Sequence, residues 1–237
     1  MTHRYRRLIG PGIVSLFMLL VLLGLGTWQV HRLAWKQAIL ARIAQAEAAP
    51  PAPLRVQPDP YTPDPYTKVS VTGRFRRDLA ALLGAEVRDT PSGPQMGAEL
   101  IVPLERDGAE PVLVDRGWIP TPAPPPTEVD WPSGTTTVTG YVQPSEKGGM
   151  FTPAPDLAGR HFYAPDTAVI ALALGLPKPA PFTVIAMGPT VAGRYPIPAQ
   201  HLPRPPNNHL EYALTWYGLA GVLVVMFATW SRKALKE

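Results

Sequence analysis

The chain from Tyr212 to Trp230 carries no charged side chain. Such a run is long enough to cross a hydrocarbon core of ~30 Å as a helix. Its start is written in the residues before it. Pro205 and Pro206 cannot sit inside a helix, Asn208 is a favourable N-cap, and Glu211 stands where it can close a capping box. A second apolar run covers residues 8–30, broken only by uncharged residues such as Pro11, Ser15, Thr27 and Gln29. It exceeds the ~7–15 residues of a signal-peptide core, and Trp28-Gln-Val-His-Arg32 follows where a small-residue cleavage site would stand. Both runs are expected to be membrane helices, which places everything between them on one side of the bilayer.

Charge says which side. The net charge is +4. Between His31 and His209 basic and acidic residues balance, so the excess lies in Arg4, Arg6 and Arg7 at one end and Arg232, Lys233 and Lys236 at the other. Basic ends flanking two apolar runs follow the positive-inside rule and argue against a nucleic-acid-binding surface. Both termini are expected to be cytoplasmic and the body extracytoplasmic. With 0 cysteines, the chain can build no disulfide framework, thiolate zinc site or Cys-based copper site.

The expected fold class is an α+β membrane protein, two transmembrane helices flanking a mostly-β extracytoplasmic domain with one short helix. Its parts are a cytoplasmic N terminus (1–7), a first membrane helix (8–30), an extracytoplasmic region (31–209), a second membrane helix (210–230) and a cytoplasmic C terminus (231–237). Within 31–209, Ile39, Leu40 and Ile43 have helical spacing, so 31–48 reads as a helical extension of the first span. The proline-rich 49–65, with Pro-Asp-Pro-Tyr-Thr at 58 and again at 63, reads as an extended linker. The body, 66–200, shows alternation over 68–75, two strands at 98–104 and 111–119 around the hairpin signal Asp107-Gly108, and further strands at 135–142 and 181–187. Residues 166–174 form its one clear helix, capped by Asp166 or Thr167 and stopped at Gly175. Val112, Val114 or Leu113, Trp118, Val138 and Val184 are the expected core.

Chemistry-bearing motifs are scarce. The chain has no Gly-rich phosphate loop, nucleophile elbow or His-Glu-x-x-His helix, and its histidines (His3, His31, His161, His201, His209) are far apart. No turnover chemistry is expected. Asp115 and Arg116 lie inside an apolar strand, where neighbours point to opposite faces; each needs a partner if buried, and a structural ion pair is expected.

Three segments together resemble the Surfeit locus protein one family. Gly24-Leu-Gly-Thr-Trp-Gln-Val-His-Arg-Leu-Ala-Trp-Lys36 is similar to the family's first-helix motif. Val112-Leu-Val-Asp-Arg-Gly-Trp-Ile-Pro120 resembles its central strand, and Asn207-Asn-His-Leu-Glu-Tyr-Ala-Leu-Thr-Trp-Tyr-Gly218 its second-helix motif. They stand in family order, with Tyr163-Ala-Pro-Asp166 before a short helix. The resemblance implies an assembly factor of a haem-copper terminal oxidase in the bacterial inner membrane, its main domain periplasmic. Such a protein binds haem a and assists its insertion into the oxidase large subunit, with haem a synthase a further partner and lipid around its helices. His209 is the implied axial ligand of the haem iron. Opposite insertion of the two spans sets Trp28, Gln29 and Arg32 level with His209, Tyr212 and Trp216, and Arg32 and Arg204 are the cations placed to meet haem propionates. His31 is not assigned as a ligand. The alternative is a scaffold that stabilises an oxidase assembly intermediate without haem, His209 serving the helix end and small residues on its stripe serving helix packing.

Overall fold

The computed structural model describes residues 2–54, 62–90, 93–124 and 127–236. The chain divides into two compact units, one helical (Met1–Ala44 with Arg204–Glu237) and one largely β (Gln45–Pro203).

The helical unit is built from two long helices. α1 runs unbroken through Thr2–Ala48, 47 residues with Pro11 inside it, a length of ~70 Å. The last helix, α3, occupies His209–Lys236. It starts directly after Asn208, whose carbonyl accepts from the Tyr212 amide at 3.2 Å. Both helices are long and apolar enough to cross a membrane, with mean hydropathy reaching 2.5 in the first and 1.6 in the second, and most of each apolar surface is exposed. On α1 the buried positions of the apolar stretch are Leu22, Gly26 and Gln29, a spacing of four and three that marks one helical face. On α3 they are Ala213 and Ala220, at 2% and 3% exposure.

The β unit begins with β1 (Ala52–Pro53), which pairs in parallel with β2 (Lys68–Phe75). Part of the stretch expected as an extended linker is therefore attached to the sheet; residues 55–61, which hold all but the last residue of the first Pro-Asp-Pro-Tyr-Thr copy, lie outside the described residues. The second copy forms a turn, with Thr67 N donating to Asp64 O at 3.1 Å. β3 (Ala81–Thr90), β4 (Gly93–Arg106) and β5 (Ala109–Pro120) follow as an antiparallel series. The β4–β5 hairpin turns at Asp107-Gly108, and Gly108 has the positive φ of 69° that this short turn requires.

β6 (Thr135–Pro144) lies antiparallel to β2, and β7 (His161–Phe162) adds a short parallel pairing to β3. α2 (Thr167–Ala173) precedes β8 (Phe182–Ala186), which fits between β6 and β5. Asp166 caps α2 by accepting from Ala168 N and Val169 N at 3.1 and 3.2 Å, and Gly175 ends it at φ 68°. The strand order β2-β6-β8-β5-β4 returns to its start where Arg74 and Phe75 pair with Glu105 and Leu104. Five strands thereby close into a small barrel.

Val71, Val102, Val112, Val114 and Val184 point into that barrel. Leu113 and Ile101 point outward, yet they too are fully buried, because Ile170 and Leu174 of the α2 segment and Phe162 of β7 cover them. Both options of the expected Val112/Val114-or-Leu113 alternation are thus core, since β5 is sandwiched. Val138 is only partly buried.

Two irregularities interrupt β5, one near its start, where Glu110 and Pro111 oppose Glu105, and one near its end. Glu99 pairs with Trp118 and Ile101 with Asp115, so Arg116 and Gly117 together oppose a single residue of β4. This bulge needs the glycine: Gly117 has φ 117°, and a Cβ there would lie 2.1 Å from Ile197 O.

Candidate functional site

His209 is the first residue of α3 and is half-buried. Its Nδ1 lies 2.7 Å from Oε1 of Gln29, a buried residue of α1 at 8% exposure. A carboxamide oxygen can only accept, so Nδ1 carries a proton and Nε2 is the ring nitrogen left to face a metal. That is the arrangement of a metal-ligating histidine whose other nitrogen is held by a hydrogen bond, which fixes ring orientation. The segments that meet here are 180 residues apart in sequence.

Further along the same pair of helices, Thr27 Oγ1 donates to Leu23 O at 2.8 Å. Its hydroxyl proton being spent there, the Tyr217 hydroxyl 3.1 Å away is the donor to Thr27 Oγ1. The Tyr217 ring covers Gly26. Neither Thr27 nor Tyr217 was singled out from sequence as a site residue; the signal available was the pair of small residues Gly24 and Gly26 in an apolar run, which suits close helix approach.

The other expected site residues are placed as follows. Trp216 is half-buried on the stripe with Ala213 and Ala220. Tyr212 and Trp28 face outward, at 55% and 54% exposure. Arg32 sits over Trp35, 4.4 Å from the ring centre, and Arg204 lies exposed on the segment leading into α3. His31 is exposed. Among the described residues no group of three or more His, Asp or Glu could hold a metal ion.

A separate polar cluster lies on the β unit. The ion-pair partner expected for each of Asp115 and Arg116 is not found: among the described residues neither belongs to an ion pair. Asp115 accepts from Gly117 N at 2.8 Å and stands beside Glu99. Burial, and then the Glu99 charge, push its carboxyl well above the ordinary range, and burial pushes Glu99 up as well. Arg88 partly compensates, bonded to Glu99 at 2.6 Å and Glu86 at 2.9 Å. Arg116 donates to Asp130 O at 2.7 Å and lies over the rings of Phe75 and Trp131.

Comparison with known proteins bears on the whole chain. The chain is 30% identical over 223 residues to a SURF1-like protein of Rickettsia bellii, covering 93% of this chain and 89% of that one. It is 30% identical over 223 residues to a SURF1-like protein of Monosiga brevicollis, covering 90% and 84%. With human Surfeit locus protein 1 it shares 27% identity over 227 residues, 90% of this chain and 74% of the human one. The family model described as the SURF1 family matches residues 16–221, taking in the barrel and part of each long helix; the chain belongs to the SURF1 family.

Proposed function

We propose that this chain is a membrane-anchored assembly factor for a haem-copper terminal oxidase, offering His209 to haem a and assisting its transfer to the oxidase large subunit. The observation that carries the reading is the His209–Gln29 hydrogen bond, which supplies an oriented imidazole with Nε2 left to face a metal at the mouth of a helix pair. Family membership supports it. Haem brings four ring nitrogens of its own, so one protein nitrogen suffices to retain it, and a single ligand suits cargo that must leave again.

The chain's own residues then orient and release. Gln29 holds the imidazole, Trp216 and the small residues Ala213 and Ala220 line the same face, and no residue has to turn over chemically. Arg32 and Arg204 are the proposed propionate partners, with Tyr212 and Trp28 as interfacial aromatics around the site. The two apolar helices are read as spans of a bacterial inner membrane, with cytoplasmic termini and a periplasmic β unit, because Lys and Arg cluster beyond their outer apolar ends. Haem a synthase and membrane lipid are further partners in this reading.

The test is the absorption spectrum of protein purified from cells that make haem a. Wild type is expected to carry haem a, and His209→Ala to lose most of it while still inserting in the membrane. Equal haem in both would remove His209 from the reading. A scaffold without haem is the second reading. The same hydrogen bond favours it in one respect, since a polar pair between membrane helices also serves as packing glue. Oxidase assembly unaffected by His209→Ala, with no haem on wild type, would establish that role instead.

A further inference from the structure

β3 is an edge strand for half of its length. β7 covers it only at Leu82 and Leu83, and among the described residues no strand pairs with β3 beyond Leu83 on the side away from β4. The start of this edge is closed at Gly84, whose carbonyl lies 2.6 Å from His161 Nε2. Past it, Ala85, Glu86, Val87 and Asp89 are exposed.

The backbone of Val87 faces outward. Val87 opposes Met96 of β4, and the Met96 carbonyl accepts from Thr121 N, on its other side, at 2.8 Å. Along an antiparallel ladder, hydrogen-bonded pairs alternate with pairs that share no hydrogen bond. Val87 and Met96 are a pair of the second kind, so the Val87 N–H and C=O point away from β4, and those of Asp89 follow two residues on. An open edge of this sort is a template for another strand.

The side chains beside it select which strand. Two copies of one edge pair antiparallel about a two-fold axis, each residue meeting the one equally far from the axis. An axis at Glu86, Arg88 or Asp89 sets like charges directly opposite each other, which destabilises a ladder. An axis at Ala85 sets Val87 against Leu83, where β7 already pairs. An axis at Val87 sets Glu86 opposite Arg88 of the second copy, and Arg88 opposite its Glu86. Arg88 is held ready on that face by Glu99 at 2.6 Å. On the other face Val87 and Met96 are 56% and 51% exposed. The same axis aligns them as one apolar row, Met96 and Val87 of one copy followed by Val87 and Met96 of the other.

We propose that β3 is a self-association edge, at which two copies of this chain pair antiparallel over residues 85–89 about a two-fold axis at Val87. The edge lies wholly within the β unit, and the proposal does not rest on the haem reading.

The chain has 0 cysteines, so single-cysteine variants of the full-length protein in detergent report the register. At the axis the two Val87 Cα atoms would stand ~5.5 Å apart, within disulfide reach, whereas the two Asp89 Cα atoms would be ~14 Å apart. Under mild oxidation Val87→Cys is expected to cross-link at least ~tenfold faster than Asp89→Cys, although both positions are exposed. By sedimentation, wild type is expected to dimerise at or below about 100 µM. Val87→Pro is expected to weaken the dimer at least ~tenfold, since it removes one outward donor from each copy and leaves the β3–β4 ladder whole. Equal cross-linking at the two positions would overturn the proposal, and so would a Val87→Pro variant that dimerises like wild type. A wild type still monomeric at about 100 µM would also overturn it, leaving the edge to a strand from a different protein. If Val87→Pro does not fold, the cysteine comparison decides alone.

Discussion

The ring of Tyr217 lies so close over Gly26 that a Cβ on Gly26 would stand 2.7 Å from Cε1 and 2.9 Å from Cζ of that ring. The glycine is therefore part of the α1–α3 contact rather than a flexible point. Gly26→Val is expected to push Tyr217 off Thr27 and cost ~1–3 kcal/mol of helix-pair stability, as overpacking does. Gly24→Ala, where a Cβ meets nothing within 4 Å, is expected to be neutral or slightly stabilising. Thermal unfolding of both variants in detergent, followed by tryptophan fluorescence, measures the difference.

Gln29→Leu tests the hydrogen bond itself. Its side chain has similar bulk and no acceptor, so the helices can still pack while the His209 ring loses its orientation. In the haem-binding reading, affinity is expected to fall ~10–100-fold, the usual cost of removing the partner of a ligating histidine. Haem titration by absorbance reads this directly, and an unchanged affinity would show that Gln29 only packs.

Asp115 makes stability depend on pH in an unusual direction. Its ordinary value is 3.8 and its folded value lies well above that, so over that interval the folded chain holds more protons than the unfolded one. Stability therefore falls as pH rises from about 4 towards the folded value. Asp115→Asn keeps an oxygen for Gly117 N and offers a donor to Glu99. It is expected to flatten the slope by up to ~1.4 kcal/mol per pH unit, the share of one proton. Denaturant unfolding of the full chain between pH 4 and pH 8 measures both slopes.

Two glycines with positive φ are expected to respond differently to alanine. At Gly84, φ is 74° and a Cβ meets nothing within 4 Å, so Gly84→Ala should cost only the backbone term, ~1–2 kcal/mol. At Gly117 the Cβ would strike the Ile197 carbonyl as well. Gly117→Ala is expected to cost more than Gly84→Ala and to loosen the Trp118–Ile197 bridge, whose backbone bonds are 3.0 and 2.8 Å. Hydrogen exchange at the Trp118 and Ile197 amides is the discriminating readout.

What the sequence made legible was mostly local. The Asp107-Gly108 turn, the Asp166 cap and the start of α3 after Asn208 are short-range chemistry, and each is found where its residues place it. β3 was not anticipated, because Gly84 and a register shift between Leu83 and Glu86 break its alternation. Burial of both faces of β5 depends on β7 and the α2 segment folding over its outer side, which no pattern inside β5 announces. Expecting an ion-pair partner for each of Asp115 and Arg116 overlooked two other ways to accommodate buried charge. Asp115 is held by a bulge amide and the neighbouring acid, and Arg116 by aromatic rings and a carbonyl. At the candidate site, His209 and Gln29 could be set at one level from span topology, but the hydrogen bond between them is a fact of the folded helix pair.

The continuity of α1 has a mechanical consequence. Beyond residue 30 the helix runs on without a break to Ala48, a further ~27 Å at 1.5 Å per residue. In the two-span reading those turns are a rigid lever whose fulcrum is the bilayer surface. A tilt of the span by ~10° would sweep the helix's own outer end through ~5 Å at that arm length. Displacements at the level of Gln29 that are too small to break a hydrogen bond would thus arrive at Ala48 magnified, giving the membrane-level site a geometric gain.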